Sequence, residues 1–473
     1  MRSAIAIRRL PPRSWRSISI GWVHSTLGLR RSPAKHQGRN RMKKFLRMGG
    51  GLLAASLMVG SAAYAQTTLT MWTFLDINAK GGRNAALKQI ISDFETANPD
   101  IRIKVEPQVW STLAEKFVLG SNAGNAPDIG WVNSENLGFI MNSDAAADLK
   151  PLVLDGWSDQ QKQDSLLNSS FSAVTDGDAV RAVPLLPSTW VLMYRKDLFD
   201  AAGLTAADVA TWDGVTKAAK LLTKDTNNDG QNDIWGIGLG LSQERFSVTP
   251  AFLATVDGNG GIFDDSCNAT FDNDAGRAAV AMQVDWIDKD KVTPREALAM
   301  SSDDAIDQFA AGRYAMMIIA NSRYEQIQRT AAGWDGSQLA IARVPGMTAG
   351  KPGPALLVGW WAVQWSKSPN QEAAAKFISY MSGPDGAKLW NVPGEQIPTY
   401  RSVAERPEMS EPARQGLRAT SEILASSGVL MPGKCNWGRT QADFNLATQQ
   451  VVLGQATLED ALRQAEQATD ERQ

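Results

Sequence analysis

Residues 67–76 read TTLTMWTFLD, in which apolar and polar side chains alternate as they do along a β-strand. A helical pattern follows, and IRIKVEPQVW at 101–110 then alternates again as a second strand. The pattern predicts a second helix over 111–119, capped by Ser111, before APDIGWVNS at 126–134 forms a third strand. This β-α-β-α-β order predicts an α/β fold whose sheets are mostly parallel and flanked by helices.

The N-terminus carries the three parts of a secretory signal peptide within residues 42–65: a positive region, a short apolar region and a small-x-small cleavage site. The apolar region is shorter than the roughly 20 residues that a membrane-spanning helix needs. Cleavage is therefore expected to leave Gln66 as the first residue of a periplasmic protein. Residues 1–41 are expected to be untranslated or unstructured, with translation starting at Met42.

The same alternation of strands and helices continues through the rest of the chain. Strands are expected over 234–240, 313–321 and 355–365, and an amphipathic helix over 211–225. The last third of the chain has helical spacing. The 408 residues that remain after cleavage are too many for one hydrophobic core, so two domains are expected.

Composition excludes several classes of function once the leader is removed. Thirteen of the 48 basic residues and none of the 50 acidic ones precede Gln66, which leaves a net charge of −15. That charge disfavours nucleic acid and anionic membranes as partners. Both histidines, His24 and His36, lie in the leader, so the mature chain has no histidine for catalysis or metal binding.

The two cysteines, Cys267 and Cys435, both remain in the mature chain. In an oxidising compartment they can pair across a long loop, and otherwise they are two isolated buried thiols. The sequence leaves both possibilities open.

The stretch DTNNDGQND at 225–233 resembles the start of a calcium loop, with Asp225, Asn227 and Asp229 at positions 1, 3 and 5. Position 12, which should hold a bidentate carboxylate, is Gly236. Asp and Asn side chains also bond to nearby backbone N–H groups in tight turns. We therefore predict a structural turn, with a calcium site as the alternative, and we assign no metal and no cofactor.

Several longer stretches occur in a characteristic order across residues 66–473. They are FETANPDIRIKVE (94–106), APDIGWVNSENL (126–137), VPLLPSTWVLMYRKDLFDAAGL (183–204), TWDGVTKAAKLLTKD (211–225), FAAGRYAMMI (309–318), VGWWAVQWSKSPNQEAAAKFISYM (358–381) and LGQATLEDAL (453–462). Together these stretches resemble the extracellular solute-binding proteins of bacterial ABC importers, specifically the sugar-binding group that includes maltose-binding protein.

The resemblance implies a two-lobed periplasmic binding protein fold with a hinge between the lobes. Lobe one would comprise 66–186 plus 346–405, and lobe two 187–345 plus 406–473. The crossings between lobes would fall near Leu185–Ser188, Arg343–Gly346 and Arg401–Pro407. By the same resemblance, a monomeric protein would bind a carbohydrate in the interlobe cleft and deliver it to the membrane permease of an ABC transporter.

Candidate ligand contacts are expected where strands end, because ligands of open α/β sheets bind outside the carboxyl ends of the strands. A sugar has apolar C–H faces and a rim of hydroxyls, so it suits flat aromatic surfaces combined with amides and carboxylates. The candidates are Trp72, Asp76, Asn133, Glu135, Ser188, Trp190, Asn321, Tyr324, Trp360, Trp361, Arg401 and Trp437.

The remaining tryptophans are expected to fill the core or to cover seams between helices and sheets. These are Trp110, Trp212, Trp235, Trp286 and Trp390. Trp360 and Trp361 point to opposite faces if their strand is extended, so only one of them is expected to face the cleft.

Two departures from the maltose-binding pattern disfavour maltose itself as the ligand. Ile77 follows Asp76 where a lysine is frequent, and Ser322 and Tyr324 stand where lobe two has an aromatic pair.

Two alternatives to sugar binding remain open. The same fold could bind a glycerol phosphodiester, a polyol or a peptide. For a phosphorylated ligand, Arg245, Arg323 and Arg401 are possible hydrogen-bond donors to the phosphate. A secreted carbohydrate-active hydrolase could use Asp76 and Glu135 as an acid–base pair. We expect a binding protein and no enzyme.

Overall fold

The computed structural model describes residues 66–243, 248–411 and 414–473. The predicted signal peptide at 42–65 and the segment 1–41, which contains both histidines, lie outside the described residues. Arg245, a candidate hydrogen-bond donor to a phosphate, also lies outside them. Among the residues described, every helix is too short or too polar to cross a lipid bilayer.

The strands are numbered along the chain. They are β1 (Thr67–Thr73), β2 (Ile101–Pro107), β3 (Ile129–Asn133), β4 (Thr175–Asp176), β5 (Ala179–Val180), β6 (Val183–Ser188), β7 (Trp190–Arg195), β8 (Trp235–Gly238), β9 (Tyr314–Ala320), β10 (Leu339–Ala342), β11 (Ala355–Leu356), β12 (Val358–Gln364) and β13 (Gly428–Val429).

The α-helices are numbered in the same way. They are α1 (Gly82–Ala97), α2 (Leu113–Ala123), α3 (Leu137–Met141), α4 (Leu149–Leu152), α5 (Asp159–Asp164), α6 (Lys196–Ala202), α7 (Trp212–Leu222), α8 (Pro250–Asn259), α9 (Asp274–Asp288), α10 (Ser302–Ala310), α11 (Tyr324–Thr330), α12 (Gln371–Ser382), α13 (Pro384–Asn391), α14 (Arg401–Ala404), α15 (Gln415–Ser427), α16 (Thr440–Val452) and α17 (Leu458–Asp470).

Two main sheets organise these elements. The first has the strand order β2-β1-β3-β12-β6, and the second has the order β10-β7-β9-β8. In the first sheet β12 runs antiparallel to both of its neighbours, while the other four strands share one direction. In the second sheet β7 alone runs against the other three. The expectation of mostly parallel α/β sheets is therefore confirmed, with one inverted strand in each sheet.

The inverted strands have a common place in the path of the chain. Strand β7 enters the second sheet directly from β6 of the first, and β12 enters the first sheet after the chain has left β10 of the second. Each inverted strand is therefore the one through which the chain enters its main sheet after leaving the other main sheet. The inversion thus marks the points where the chain passes between the two sheets.

Helices cover both faces of each sheet. Successive strand residues point to opposite faces, and in these strands the apolar residues occur on both. In the first sheet Trp131 packs towards α1 and α12, while its neighbour Val132 packs towards α2 and α3. In the second sheet Leu192 faces the core shared with α7, α8, α9, α16 and α17, while Met193 faces α10 and α11.

Two local predictions are wrong in detail. The helix predicted to begin after Ser111 starts at Leu113, and its N-cap residue, Thr112, makes no side-chain capping hydrogen bond. The strand predicted over 355–365 is two strands, because the Leu357 N–H donates to the Val429 carbonyl oxygen at 2.8 Å, next to the pairing of β11 with β13.

Cys267 and Cys435 form a disulfide across a sequence separation of 168 residues. The bond joins the loop before α9 to the segment before α16. That segment also contacts the first sheet's helices, since the Asn142 side-chain amide donates to the Lys434 carbonyl oxygen at 3.0 Å. The disulfide therefore holds a segment that bridges between the parts of the molecule built on the two sheets.

We expect the double change Cys267→Ser and Cys435→Ser to lower the free energy of unfolding by about 2–5 kcal/mol, because the unfolded chain regains conformational freedom. Urea unfolding followed by circular dichroism measures the effect. The wild-type protein treated with a reductant should unfold at the same urea concentration as the double variant. An unchanged midpoint in the variant would show that the bond does not stabilise the fold.

Candidate functional site

Two adjoining cavities lie where the ends of the two sheets meet. The larger has a volume of about 370 Å³ and the smaller about 110 Å³. Both are lined by Arg83, Ser322 and Gln396, so they form one continuous cleft. The walls come from segments that belong to both sheets.

The strand-end rule explains which segments form these walls. Phe74 to Asp76 follow β1, Glu135 follows β3, and Asn321 and Ser322 follow β9. Since β1 and β3 run in the same direction, their carboxyl ends lie side by side at one edge of the first sheet. The β9 end faces them from the second sheet.

Trp360 and Trp361 occupy opposite faces of β12. Trp360 is partly exposed and lines the smaller cavity, with its ring centre 4.3 Å from that of Phe74. Trp361 is 2% exposed and packs among apolar side chains near α2 and α3. The structure thus removes Trp361 from the candidate cleft, because pleating alternates the side chains.

Gly359 sets the position of Trp360. It has a φ of 141°, which side-chain-bearing residues rarely adopt, and a Cβ atom there would lie 2.0 Å from the Leu186 carbonyl oxygen. The pairing register of β12 with β6 also shifts between Trp360 and Trp361. This irregularity lets β12 turn one large aromatic ring into the cleft at the sheet's end.

The other tryptophans divide differently from the prediction. Trp190 lines the smaller cavity, and Trp437 lies behind it in the core, 1% exposed and 6.4 Å away between ring centres. Trp72 lines neither cavity and donates its indole N–H to Glu106 at 2.9 Å. Trp110 was expected to be structural, yet it is 37% exposed and lines the smaller cavity.

Asn321 connects the two sheets at the first crossing. Its side-chain oxygen accepts hydrogen bonds from the Ser188 hydroxyl at 2.7 Å and from the Thr189 N–H at 3.0 Å. Its own N–H donates to the Thr189 carbonyl oxygen at 2.9 Å. Thr189 is the single residue between β6 and β7, so Asn321 holds the crossing itself.

Glu135 lines the smaller cavity with a largely buried carboxylate. One of its oxygens, Oε2, accepts hydrogen bonds from the Asn133 amide at 2.8 Å and the Ser134 hydroxyl at 2.9 Å. Burial raises the pKa of the Glu135 carboxyl, and those hydrogen bonds only partly oppose the effect. Asn133 lines the same cavity.

Asp76 and Tyr324 line the larger cavity. The Asp76 carboxylate accepts the Asn78 N–H at 2.9 Å and so shapes the loop after β1. The Tyr324 hydroxyl donates to the Leu339 carbonyl oxygen at 3.0 Å, and burial raises the pKa of Tyr324 to about 12. Arg401 lines neither cavity, because it begins α14 with an exposed side chain.

Eight of the twelve candidates therefore line the cleft. They are Asp76, Asn133, Glu135, Ser188, Trp190, Asn321, Tyr324 and Trp360. Trp72, Trp361, Arg401 and Trp437 do not line either cavity.

Apart from Asp76, sequence reasoning missed the charged residues of the larger cavity, which are Lys80, Arg83, Glu325, Arg329 and Glu395. Arg83 lies in both cavities, with its guanidinium carbon 5.2 Å from the centre of the Phe74 ring. Arg329 of α11 pairs across the cleft with Glu395 at 3.4 Å. The pair of glycines before Arg83, directly downstream of the first strand, could have pointed to a loop that closes over a site.

The loop at 225–233 has the geometry of a structural turn. The Asp225 carboxylate accepts hydrogen bonds from the Asn228 and Gly230 N–H groups at 2.7 and 2.8 Å. Asn228 has a φ of 63°, the left-handed conformation that Asn tolerates. Asp233 in turn accepts from the Thr226 N–H at 2.7 Å. The acidic side chains are thus used to hold the backbone between α7 and β8.

Comparison with known proteins gives a family. Residues 78–388 match the model of a family described as bacterial extracellular solute-binding protein. An arabinooligosaccharide-binding protein of Bacillus subtilis is 23% identical over 347 residues, which cover 71% of this chain and 74% of that protein.

Two solved structures share the fold. An ABC substrate-binding protein from Listeria monocytogenes in complex with cycloalternan has a TM-score of 0.71 and 22% identity, over 86% of this chain and 99% of that one. A solute-binding protein from Agrobacterium vitis with bound D-mannitol has a TM-score of 0.68 and 22% identity, over 86% of this chain and 98% of that one. The expected two-lobed periplasmic binding protein fold is confirmed.

We expect Glu135→Gln to raise the free energy of unfolding at pH 7 by about 1 kcal/mol, because a buried carboxylate no longer has to ionise. A folded-state pKa raised above the unfolded value gives stability that is present at low pH and is lost as the pH rises through the folded pKa. The gain of the variant over the wild type should therefore grow between about pH 4 and pH 7.

Glu106→Gln is the matched control, since hydrogen bonds from Lys104 and then Trp72 lower the pKa of Glu106. Glu106→Gln should lower the free energy of unfolding, and by more at pH 7 than at pH 4. This change is opposite in sign to the one expected for Glu135→Gln. Urea titrations at both pH values measure both variants. A Glu135→Gln effect that does not change with pH would contradict the assignment.

Proposed function

This chain belongs to the family of bacterial extracellular solute-binding proteins, and from that premise we propose that it captures a sugar or oligosaccharide in the cleft between its two lobes. It then delivers the sugar to the permease of an ABC importer.

The observation that carries this proposal is the combination of surfaces in the cleft. Trp360 and Phe74 form an aromatic surface beside the smaller cavity, and Trp190 and Trp110 add further rings. Asn133 and the strand-end carboxylates lie around them. Flat apolar C–H faces of a sugar stack on such rings while its hydroxyls bond to amides and carboxylates.

The comparisons support a saccharide as the cargo class. The relative from Bacillus subtilis is named for arabinooligosaccharides, and the Listeria monocytogenes structure contains cycloalternan. The bound D-mannitol of the Agrobacterium vitis structure supports a polyol as the second candidate. The glycerol phosphodiester and the peptide, which the sequence analysis left open as alternative ligands, are not the ligands named for these three proteins.

The protein acts as a monomer in the periplasm. It is exported by the signal at 42–65, and the mature chain starts at Gln66. Lobe one, 66–186 plus 346–405, and lobe two, 187–345 plus 406–473, close on the sugar by a hinge motion. A ligand that contacts both lobes stabilises the closed state by its differential affinity for that state.

No covalent chemistry takes place in the cleft. Asp76 lines the larger cavity of the cleft and Glu135 the smaller one. Both carboxylates are also bound to neighbouring groups of the protein. Incubation with labelled oligosaccharides should return them intact.

Titration of the mature protein tests the proposal, after unfolding and refolding to remove any bound ligand. Neutral and acidic mono- and oligosaccharides, polyols and glycerol phosphates would be added while tryptophan fluorescence is recorded. A saturable change at micromolar concentration with a saccharide supports the proposal. A response to a glycerol phosphate or a polyol, without any to a saccharide, would overturn the choice of cargo.

The neighbouring tryptophans of β12 give a matched pair of variants. Trp360→Ala should weaken saccharide binding on the order of 10- to 100-fold, because the aromatic surface is lost. It should leave the free energy of unfolding less affected than Trp361→Ala, which removes a buried ring and should cost about 3–5 kcal/mol. Isothermal titration and urea unfolding of both variants measure the contrast. Equal affinity in Trp360→Ala and the wild type would exclude Trp360 as the stacking surface.

A further inference from the structure

Two cations of the cleft, Arg83 and Lys80, form no ion pair with a described residue, and of these two Arg83 lines both cavities. Arg83 is the second residue of α1 and lines both cavities. Its guanidinium lies over the Phe74 ring, and it forms no hydrogen bond or ion pair with any residue that the structure describes. A guanidinium carries five N–H donors and a charge that persists at neutral pH. These donors are available to a ligand.

The carboxylate that attracts Arg83 most directly already has other partners. Glu395 favours the charged form of Arg83 through space, but its oxygen Oε2 pairs with Arg329 at 3.4 Å. The same oxygen lies 3.3 Å from the position that a Cβ atom on Gly82 would take, beside the start of α1. Glu395 therefore lies beside the start of α1, pairs with Arg329 and makes no ion pair with Arg83.

The other acidic groups in the cleft do not fill this role either. The Glu135 carboxylate accepts from the Asn133 amide and the Ser134 hydroxyl. Asp76 accepts from the backbone of its own loop. Glu325 lies in the larger cavity, where burial and then Glu395 raise the pKa of its carboxyl. In the smaller cavity, Arg83 and Glu135 are the charged groups among the described lining residues.

The surroundings disfavour the Arg83 cation while the cleft is without ligand. Burial, followed by repulsion from Arg323, lowers the pKa of Arg83 to about 10. Neutral hydroxyl groups could accept its hydrogen bonds but would leave the positive charge without a counter-charge. A carboxylate would accept the hydrogen bonds and also supply the counter-charge. Its two oxygens match the two parallel N–H bonds of a guanidinium.

On the basis of the proposed function, we infer that the cleft selects a saccharide that carries a carboxylate, as uronic acids and their oligomers do. The carboxylate binds Arg83, and the sugar ring stacks on Trp360. The two groups are close together, because the Arg83 guanidinium carbon lies 5.2 Å and the Trp360 ring centre 4.3 Å from the centre of the Phe74 ring. One guanidinium matches one carboxylate in charge. Lys80 of the larger cavity is a second cation that a doubly charged phosphate could use, so the titration below includes a phosphate probe.

Isothermal titration of the refolded mature protein tests this inference with matched pairs of sugars. The pairs are D-galacturonate with D-galactose, D-glucuronate with D-glucose, and an oligogalacturonate with a neutral oligosaccharide of the same length, and glucose 6-phosphate is added as a phosphate probe. At least one uronate should bind ten-fold or more tightly than its neutral partner. Its dissociation constant should also rise with salt, because a charge pair is screened.

Arg83→Gln should weaken uronate binding on the order of 10- to 100-fold, because a charge-assisted hydrogen bond is lost. Its affinity for a neutral sugar should change much less. Arg401→Gln is the control, since Arg401 is exposed and outside both cavities, and it should bind the uronate as the wild type does. If Arg83→Gln fails to fold, the ranking of sugars by the wild-type protein decides the question alone.

The outcomes distinguish failure of the carboxylate inference from failure of the proposed sugar-binding function. Neutral sugars that bind as tightly as uronates would overturn the carboxylate and leave a sugar-binding protein. Tighter binding of glucose 6-phosphate than of any uronate would also overturn it, in favour of a phosphate. Binding of no saccharide at all would overturn the proposed function itself.

Discussion

The arrangement of the cleft depends on how the chain passes from one sheet to the other through a single residue. Thr189 separates β6 from β7, and the Asn321 side chain and backbone bond to both of its peptide groups. Three strand ends therefore meet at one buried cluster of hydrogen bonds. Because buried polar groups are costly to leave unpaired, this cluster fixes where the strand ends can lie. A hinge motion between the lobes has to leave these bonds intact or exchange them for others.

The return strand β12 has a different role, because it contributes to the core and to the cleft at once. Its residues beyond Gly359 pack on the two faces of the first sheet, and Trp361 and Val363 fill the side near α2. At its first end, the register shift and the positive φ of Gly359 turn Trp360 towards the cavity. A cleft-lining side chain and a core side chain are thus neighbours on one strand, separated only by the pleat.

The charges of the cleft are unevenly neutralised. The carboxylates of Asp76, Glu135 and Glu395 are held by backbone N–H groups, by an amide and a hydroxyl, and by Arg329, whereas Arg83 lies over an aromatic ring. A contact within one lobe is the same in the open and the closed state, whereas a contact across the cleft, such as that of Arg329 with Glu395, can change. A group that only a ligand can pair distinguishes the two states, and such differential contacts are what drive closure. On the inference drawn above, Arg83 is one such group, and its pairing depends on the chemistry of the ligand.

The sequence by itself determined the α/β class, the strands β1, β2 and β3 of the first sheet, the strand ends that carry Asp76, Glu135 and Asn321, and the resemblance to a binding-protein family. These follow from local periodicity and from residue order, which one chain displays directly. Only the tertiary structure decided that Trp360 rather than Trp361 faces the cleft and that Cys267 and Cys435 pair. It also decided that Arg83 and Glu395 line the same cavity. Each of these outcomes depends on segments far apart in the chain or on a one-residue shift in register. Periodicity cannot resolve such features, because a single slip moves every side chain of a strand to the opposite face.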